Sequence, residues 1–103
     1  MTAKRSIVAK IVANDGDADG LRDLLCTLVD AGRSEDGLEI YSVHEDPRVP
    51  GEFYFFELYS NSDAVRRHGS GGEMKELFAQ IGKLANKPTA KILTPLAAKG
   101  IPL

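Results

Sequence analysis

The stretch Leu38–Ser60, LEIYSVHEDPRVPGEFYFFELYS, decides the fold. Two runs, 38–45 and 52–60, are rich in β-branched and aromatic residues and flank DPRVPG, a segment with two prolines and a glycine. Such side chains suit a pleated, half-buried surface, and prolines interrupt a sheet ladder. The stretch therefore predicts a β-hairpin with a long loop.

Toward the N-terminus, beyond the loop RSEDG, the apolar period changes. Leu21, Leu24, Leu25 and Leu28 stand at i, i+3, i+4 and i+7, the stripe of an amphipathic helix. Asp17 or Asp19 can cap its start, where acidic groups suit the helix dipole, and Gly32 offers a stop. Before the acidic turn NDGDADG, residues 7–13 read IVAKIVA, a short strand. Toward the C-terminus, SNSDAVRRHGSGG predicts a short capped helix broken at Gly69, Gly71 and Gly72. Met74, Leu77, Phe78, Ile81 and Leu84 then recur at helical spacing until Lys87-Pro88, and TAKILTPL supplies a last strand. The order β-α-β-β-α-β is the split βαβ, or ferredoxin-like, α+β arrangement with an antiparallel sheet. It is expected to occupy residues 1–103 as a single domain, with a core of about 6–96 and a tail at 97–103.

Composition narrows the function. Thirteen basic and fifteen acidic side chains leave a net charge of −2, which argues against nucleic acid as a partner. The single cysteine, Cys26, cannot form an internal disulfide; it reads as a small buried hydrophobe in the first helix. One Cys and two distant His argue against a structural metal site. No apolar run approaches the ~20 residues of a membrane span, and MTAKRSIVAKIVAND, interrupted by Lys10, reads as a strand and not a leader. A cytoplasmic setting is expected.

In this architecture the helices cover one face of the sheet, so strand parity decides what the other face carries. Ile7, Ala9 and Ile11 form one set of the first strand and Val8, Lys10 and Val12 the other. On the third, Tyr54, Phe56 and Leu58 oppose Phe53, Phe55, Glu57 and Tyr59. A face joining Val8 and Val12 to Phe53 and Phe55 would leave an apolar patch near or above the ~300–600 Å² usual for a monomer. The expectation is a homodimer whose paired sheets seal that chamber.

The segments RSEDGLEIYSVHED and EFYFFELYSNSDAVRRH resemble the antibiotic biosynthesis monooxygenase family of the dimeric α/β-barrel superfamily. The resemblance rests on Arg33, Glu35, Gly37, Tyr41, Glu57, Tyr59 and His68, in order and spacing over about residues 6–96. It implies a small homodimer and, among the family's activities, cofactor-independent oxygenation of polycyclic aromatic or quinol substrates. Relatives degrade haem or isomerise a phosphorylated signalling sugar. Tyr59 stands where the family usually has Trp, and the chain has no Trp. Haem-degrading relatives add an Asn on the first strand, where Lys10 or Val12 stands here. Both departures argue against haem degradation, although His68 keeps the nine-residue step from Tyr59 and a histidine there suits iron.

The candidate catalytic side chains are His68, Glu57 and Tyr59. His68 is the leading base, since histidine is the side chain suited to proton exchange near neutral pH; the alternative is a surface histidine beside Arg66 and Arg67. Glu57, in the most apolar strand, is either held by a cation such as Lys10 or an arginine, or has a raised pKa. Tyr59 can stack on a planar ligand and donate a hydrogen bond, or simply pack. Phe53, Phe55, His44, Val12 and Lys10 are the expected substrate-binding wall. Tyr41 is expected to face the core, Glu35 with Gly37 to shape the loop, and Arg33 to pair with Glu35 or cross the dimer interface. The glycines at 69, 71 and 72 read as a flexible loop or the hinge of a lid. The expected activity is a monooxygenase reaction between a small aromatic or quinol-type molecule and O2, without cofactor or metal. The rivals are a non-catalytic small-molecule-binding or stress module, and an isomerase.

Overall fold

The computed structural model describes residues 2–103. The elements are β1 (Arg5–Val12), α1 (Ala18–Gly32), β2 (Leu38–Glu45), β3 (Glu52–Tyr59), α2 (Ser62–Arg67), α3 (Gly72–Leu84) and β4 (Thr89–Leu93). The sheet order is β2-β3-β1-β4 with every pairing antiparallel, so the α+β, ferredoxin-like arrangement is the observed one. The helices pack on one face.

Local sequence explains the boundaries. α1 ends at Gly32, as its composition suggests. Asp17 occupies the N-cap, but its carbonyl, accepting from Leu21 N–H at 2.9 Å, does the work; its side chain makes no capping bond. Asn61 caps α2 through its side chain, accepting from Ala64 N–H at 2.9 Å. The glycine-rich stretch splits the second helical region into α2 and α3. β4 stops at Leu93, earlier than the expected 96. It is a short edge strand, exposed throughout and lying between Pro88 and Pro95.

The core is Leu21, Leu25 and Leu28 of α1 and Met74, Leu77 and Ile81 of α3 against Ile11, Phe53 and Phe55 of the sheet. Truncating any of these leucines removes transfer energy and leaves a hole, typically about 2–5 kcal/mol. Cys26 is exposed, contrary to expectation. It follows Leu25 by one residue and is turned about 100° away from the Leu21–Leu25–Leu28 stripe, and adjacent helical positions do not share a face.

The parity sets within each strand are as expected, but their assignment to faces is not. The β1–β3 register sets Ile11 opposite Phe53, Ala9 opposite Phe55 and Ile7 opposite Glu57. Phe53 and Phe55 therefore lie beneath the helices, each 2 % exposed, and not on the open face with Val8 and Val12. The physical reason is area. The leucine stripe of α1 and the apolar side of α3 can bury whole benzyl groups, and the bulkiest apolar side of β3 goes to them. The open face is mixed: Val8, Phe56 and Ile40 alternate with Lys10, Tyr54, Ser42 and His44. Part of it is roofed by the tail. Pro95, Ala98, Ile101 and Leu103 enclose a cavity with Phe56 and Leu58, and Leu58 is buried.

Candidate active site

Between the sheet and the helices lies an apolar cavity of about 350 Å³. Ile7, Ala9 and Phe55 form its floor, Phe78 and Ile81 of α3 its roof, and Ala85, Asn86 and Pro88 one end. Its polar side chains are Tyr41, Glu57, His68 and Asn86.

Glu57 is placed by parity. Phe53 and Phe55 pull the odd residues of β3 inward, so the carboxyl follows and is 8 % exposed. Among the described residues no lysine or arginine pairs with it: Lys10 is on the opposite face, paired with Glu52 at 3.2 Å. Instead Tyr59, two residues on and fully buried, donates its hydroxyl proton to Glu57 Oε1 at 2.6 Å. Burial raises the Glu57 pKa; the Tyr59 hydrogen bond and the nearby imidazole oppose that rise without cancelling it. Burial, then the hydrogen bond to Glu57, pushes the Tyr59 phenol far up, so it remains a donor.

His68 is the C-cap of α2. Its Nδ1 is 2.8 Å from Glu35 Oε2 and its Nε2 is 3.8 Å from Glu57 Oε1. Three rings stand edge-on around the imidazole: Tyr41, Tyr59 and Phe78, at centroid distances of 5.3, 5.5 and 5.7 Å. Burial, with the charges of Glu57 and Glu35, raises the Tyr41 hydroxyl far above its usual range, so it too stays protonated. The turn that leaves His68 in place requires glycine next. Gly69 has φ +76°, and a Cβ there would come within 2.5 Å of Phe78. Likewise a Cβ on Gly32 would meet the Tyr41 ring at 2.6 Å, so the end of α1 is flush against the wall that Tyr41 forms.

The site residues expected from sequence thus divide. The structure brings His68, Glu57 and Phe55 to the cavity, with Tyr59 behind Glu57. Tyr59 has no exposed ring on which a ligand can stack. Phe53 is core and does not line the cavity. His44, Lys10 and Val12 are corrected outright, since all three belong to the other face. His44 lies edge-on to Phe56 at 5.1 Å and 3.0 Å from the Ser42 hydroxyl. The β2–β3 pairing is regular from Ile40 onward, so Ile40, Ser42 and His44 share the open face while Tyr41 and Val43 turn inward; the chamber lies beneath the helices and not on that open face. Arg33 pairs with Asp30 at 3.0 Å and not with Glu35. Sequence reasoning missed Glu35 as the partner of His68. Its position within Arg33-x-Glu35-x-Gly37 was the available signal, but a contact between residues so far apart in the chain needs the fold. It also missed Phe78, whose helical spacing reads simply as core.

Among the described residues, no group of three or more His, Cys, Asp or Glu side chains is arranged to hold a metal ion, and no helix is long and apolar enough to cross a membrane.

Comparison with known proteins gives a consistent picture. Residues 5–80 match the family model described as antibiotic biosynthesis monooxygenase. A Mycobacterium tuberculosis protein named "Putative monooxygenase Rv0793" is 30% identical over 97 residues, 93% of this chain and 95% of that protein. Its solved structure superposes with a TM-score of 0.83 over 92% of this chain and 97% of that one, at 26% identity in the structural alignment. PA3566 from Pseudomonas aeruginosa superposes with a TM-score of 0.85 and 27% identity, covering 94% and 98%. A family match over most of the chain, a relative 30% identical over nearly its whole length and a shared fold lead to one conclusion: the chain belongs to the antibiotic biosynthesis monooxygenase family.

Proposed function

We propose that this protein is a monooxygenase that oxidises a flat aromatic or quinol-type molecule with O2 in the cavity beneath its helices. The observation that carries this reading is the pairing of His68 Nε2 with the buried Glu57 carboxyl at the polar side of an otherwise apolar chamber. A dihydroquinone brings its own electrons, so the reaction needs no cofactor. His68 Nε2 takes a hydroxyl proton, which makes the ring electron-rich. One electron passes to O2, and the resulting radical pair joins through a new C–O bond at a ring carbon. Glu57, whose carboxyl burial biases toward the acid form, gives a proton to the distal oxygen. Loss of water then breaks the O–O bond and the C–H bond at that carbon. One dihydroquinone and one O2 become one hydroxyquinone and one H2O, and the substrate supplies all four electrons. Phe55, Ile81 and Phe78 hold the ring and keep bulk water from the peroxide.

A phosphorylated sugar suits this chamber poorly, because no lysine or arginine lines it. The test is oxygen uptake with a model dihydroquinone. Turnover that falls by about 10²–10⁴-fold in His68→Ala supports the reading. Absence of turnover with intact ligand binding would leave a binding module.

The same reading includes a homodimer formed through the open face of the sheet, where Phe56 is 49 % and Val8 37 % exposed. The lone, unpaired Cys26 fits a reducing, cytoplasmic setting.

A further inference from the structure

We propose that Glu35 is a positioning residue for His68, fixing which imidazole nitrogen is offered to the cavity. The proposal deepens the reading of His68 as the base and rests on it for its consequence, but its structural content stands on the geometry alone.

The Glu35 carboxylate spans two groups. Oε2 lies 2.8 Å from His68 Nδ1, and Oε1 accepts from the Gly69 backbone N–H at 3.4 Å. One carboxylate therefore grips both the ring of His68 and the peptide that follows it. Both side chains are largely sheltered, 15 % exposed for His68 and 17 % for Glu35. An ionised carboxylate only accepts hydrogen bonds, so the shared proton resides on Nδ1 and the lone pair on Nε2. Nε2 is the nitrogen that faces Glu57, at 3.8 Å, too far for a direct hydrogen bond. A substrate hydroxyl fits between donor and acceptor there. The three edge-on rings of Tyr41, Tyr59 and Phe78 restrict rotation of the imidazole. Without Glu35 nothing in the cage would choose between the two tautomers, because the hydroxyl of Tyr59 is committed to Glu57.

The charged and titratable groups around His68 come from every neighbouring element. Glu35 belongs to the loop before β2, Tyr41 to β2, and Glu57 and Tyr59 to β3; α3 contributes only Phe78. Arg66 and Arg67 precede it on α2, and Arg66 is paired with Asp63. Glu35, in hydrogen-bond contact with Nδ1, is the carboxylate that stabilises the imidazolium formed when Nε2 accepts a proton. This is the orienting role of a carboxylate in a nucleophile–base–orienter array, here applied to proton removal from a bound substrate.

The test uses nitrogen-15 NMR of the imidazoles in the full chain. The protein has only two histidines, and exposed His44 serves as the internal reference, assigned by His44→Gln. In the wild type, the neutral form of His68 is expected to carry its proton on Nδ1. Glu35→Gln removes the charge and lowers the proton affinity of His68 by about tenfold, leaving His44 unmoved. Glu35→Ala also releases the tautomer preference. A wild-type proton on Nε2, or a Glu35→Gln protein that titrates as the wild type does, overturns the proposal. Should Glu35→Ala fail to fold, the wild-type tautomer and the Glu35→Gln titration still decide it. Turnover separates the two readings. If the spectra respond as stated but His68→Ala retains activity, the positioning role holds and the base role falls. If both hold, Glu35→Gln shifts the acid limb of kcat/KM to lower pH and His44→Gln does not.

Discussion

Glu57 sits directly opposite Ile7 across the β1–β3 ladder, so the buried carboxyl of the sheet meets an alkyl side chain where a cation would be expected. Most buried carboxylates are paired with a positive group because desolvation otherwise disfavours the charge. Here the neighbours are a phenol that donates one hydrogen bond and an imidazole just beyond hydrogen-bond reach. The group is thereby biased toward its protonated form, as a proton donor in an apolar chamber should be.

That bias makes stability depend on pH in a defined direction. The folded pKa of Glu57 is raised by burial, so the folded chain holds its proton more tightly than the unfolded chain. The contribution is fully present below the unfolded value of about 4.3 and is lost as pH rises through the folded value. Glu57→Gln keeps the acceptor for Tyr59 but cannot ionise. Denaturant unfolding at pH 4 and pH 8 should show the variant gaining on the wild type at the higher pH; equal differences at both would contradict the assignment. Glu45 behaves oppositely. Its pKa is lowered to about 2, first by the Arg22 side-chain hydrogen bonds and then by the Gly51 N–H, so its contribution disappears only as pH falls toward that value.

Gly69→Ala should destabilise the fold by about 1–3 kcal/mol through the positive φ, with the contact against Phe78 adding to it. Thermal unfolding measures the loss. The informative outcome is spatial: the perturbation should reach the His68 imidazole resonances, because the same peptide N–H is held by Glu35.

Ala9→Leu places three carbons into the open floor of the cavity without displacing a packed neighbour. Binding of a planar aromatic probe, read by fluorescence, should weaken at least tenfold while the melting temperature stays level or rises. A variant that unfolds early would mean the floor is already close-packed.

Phe56→Glu tests the open face. If two copies associate there, light scattering after gel filtration should report a monomer for the variant and a dimer for the wild type, with the cavity's probe affinity unaltered in each monomer. A wild type that elutes as a monomer at all concentrations removes the dimer from the functional reading.

Element type and order were readable because each depends on local chemistry: the leucine stripe of α1, the proline-bounded turn between β2 and β3, and the glycines between α2 and α3. Side-chain parity within each strand was readable for the same reason. Which parity set meets the helices was not, since Val8, Val12, Phe53 and Phe55 are all apolar and only the β1–β3 register assigns them. Leu38 and His44 show a second limit. One irregularity between Leu38 and Ile40 takes Leu38 out of the alternation, while His44 alternates as read but on a face that does not hold the chamber. Glu57 stood out as a titratable group among apolar neighbours, and His68 through its imidazole and its place in the family pattern. Glu35, in a polar loop, did not, because its importance lies in a contact that forms only on folding.

The prolines at 88 and 95 have a consequence for the molecule as a building block. They bracket an outermost strand of five residues that carries Lys91 at its centre. A sheet finished in this way offers poor purchase for another chain's main-chain hydrogen bonds. Growth by lateral accretion, the route to fibrils, is discouraged along that margin, while the broad side of the sheet stays available for stacking.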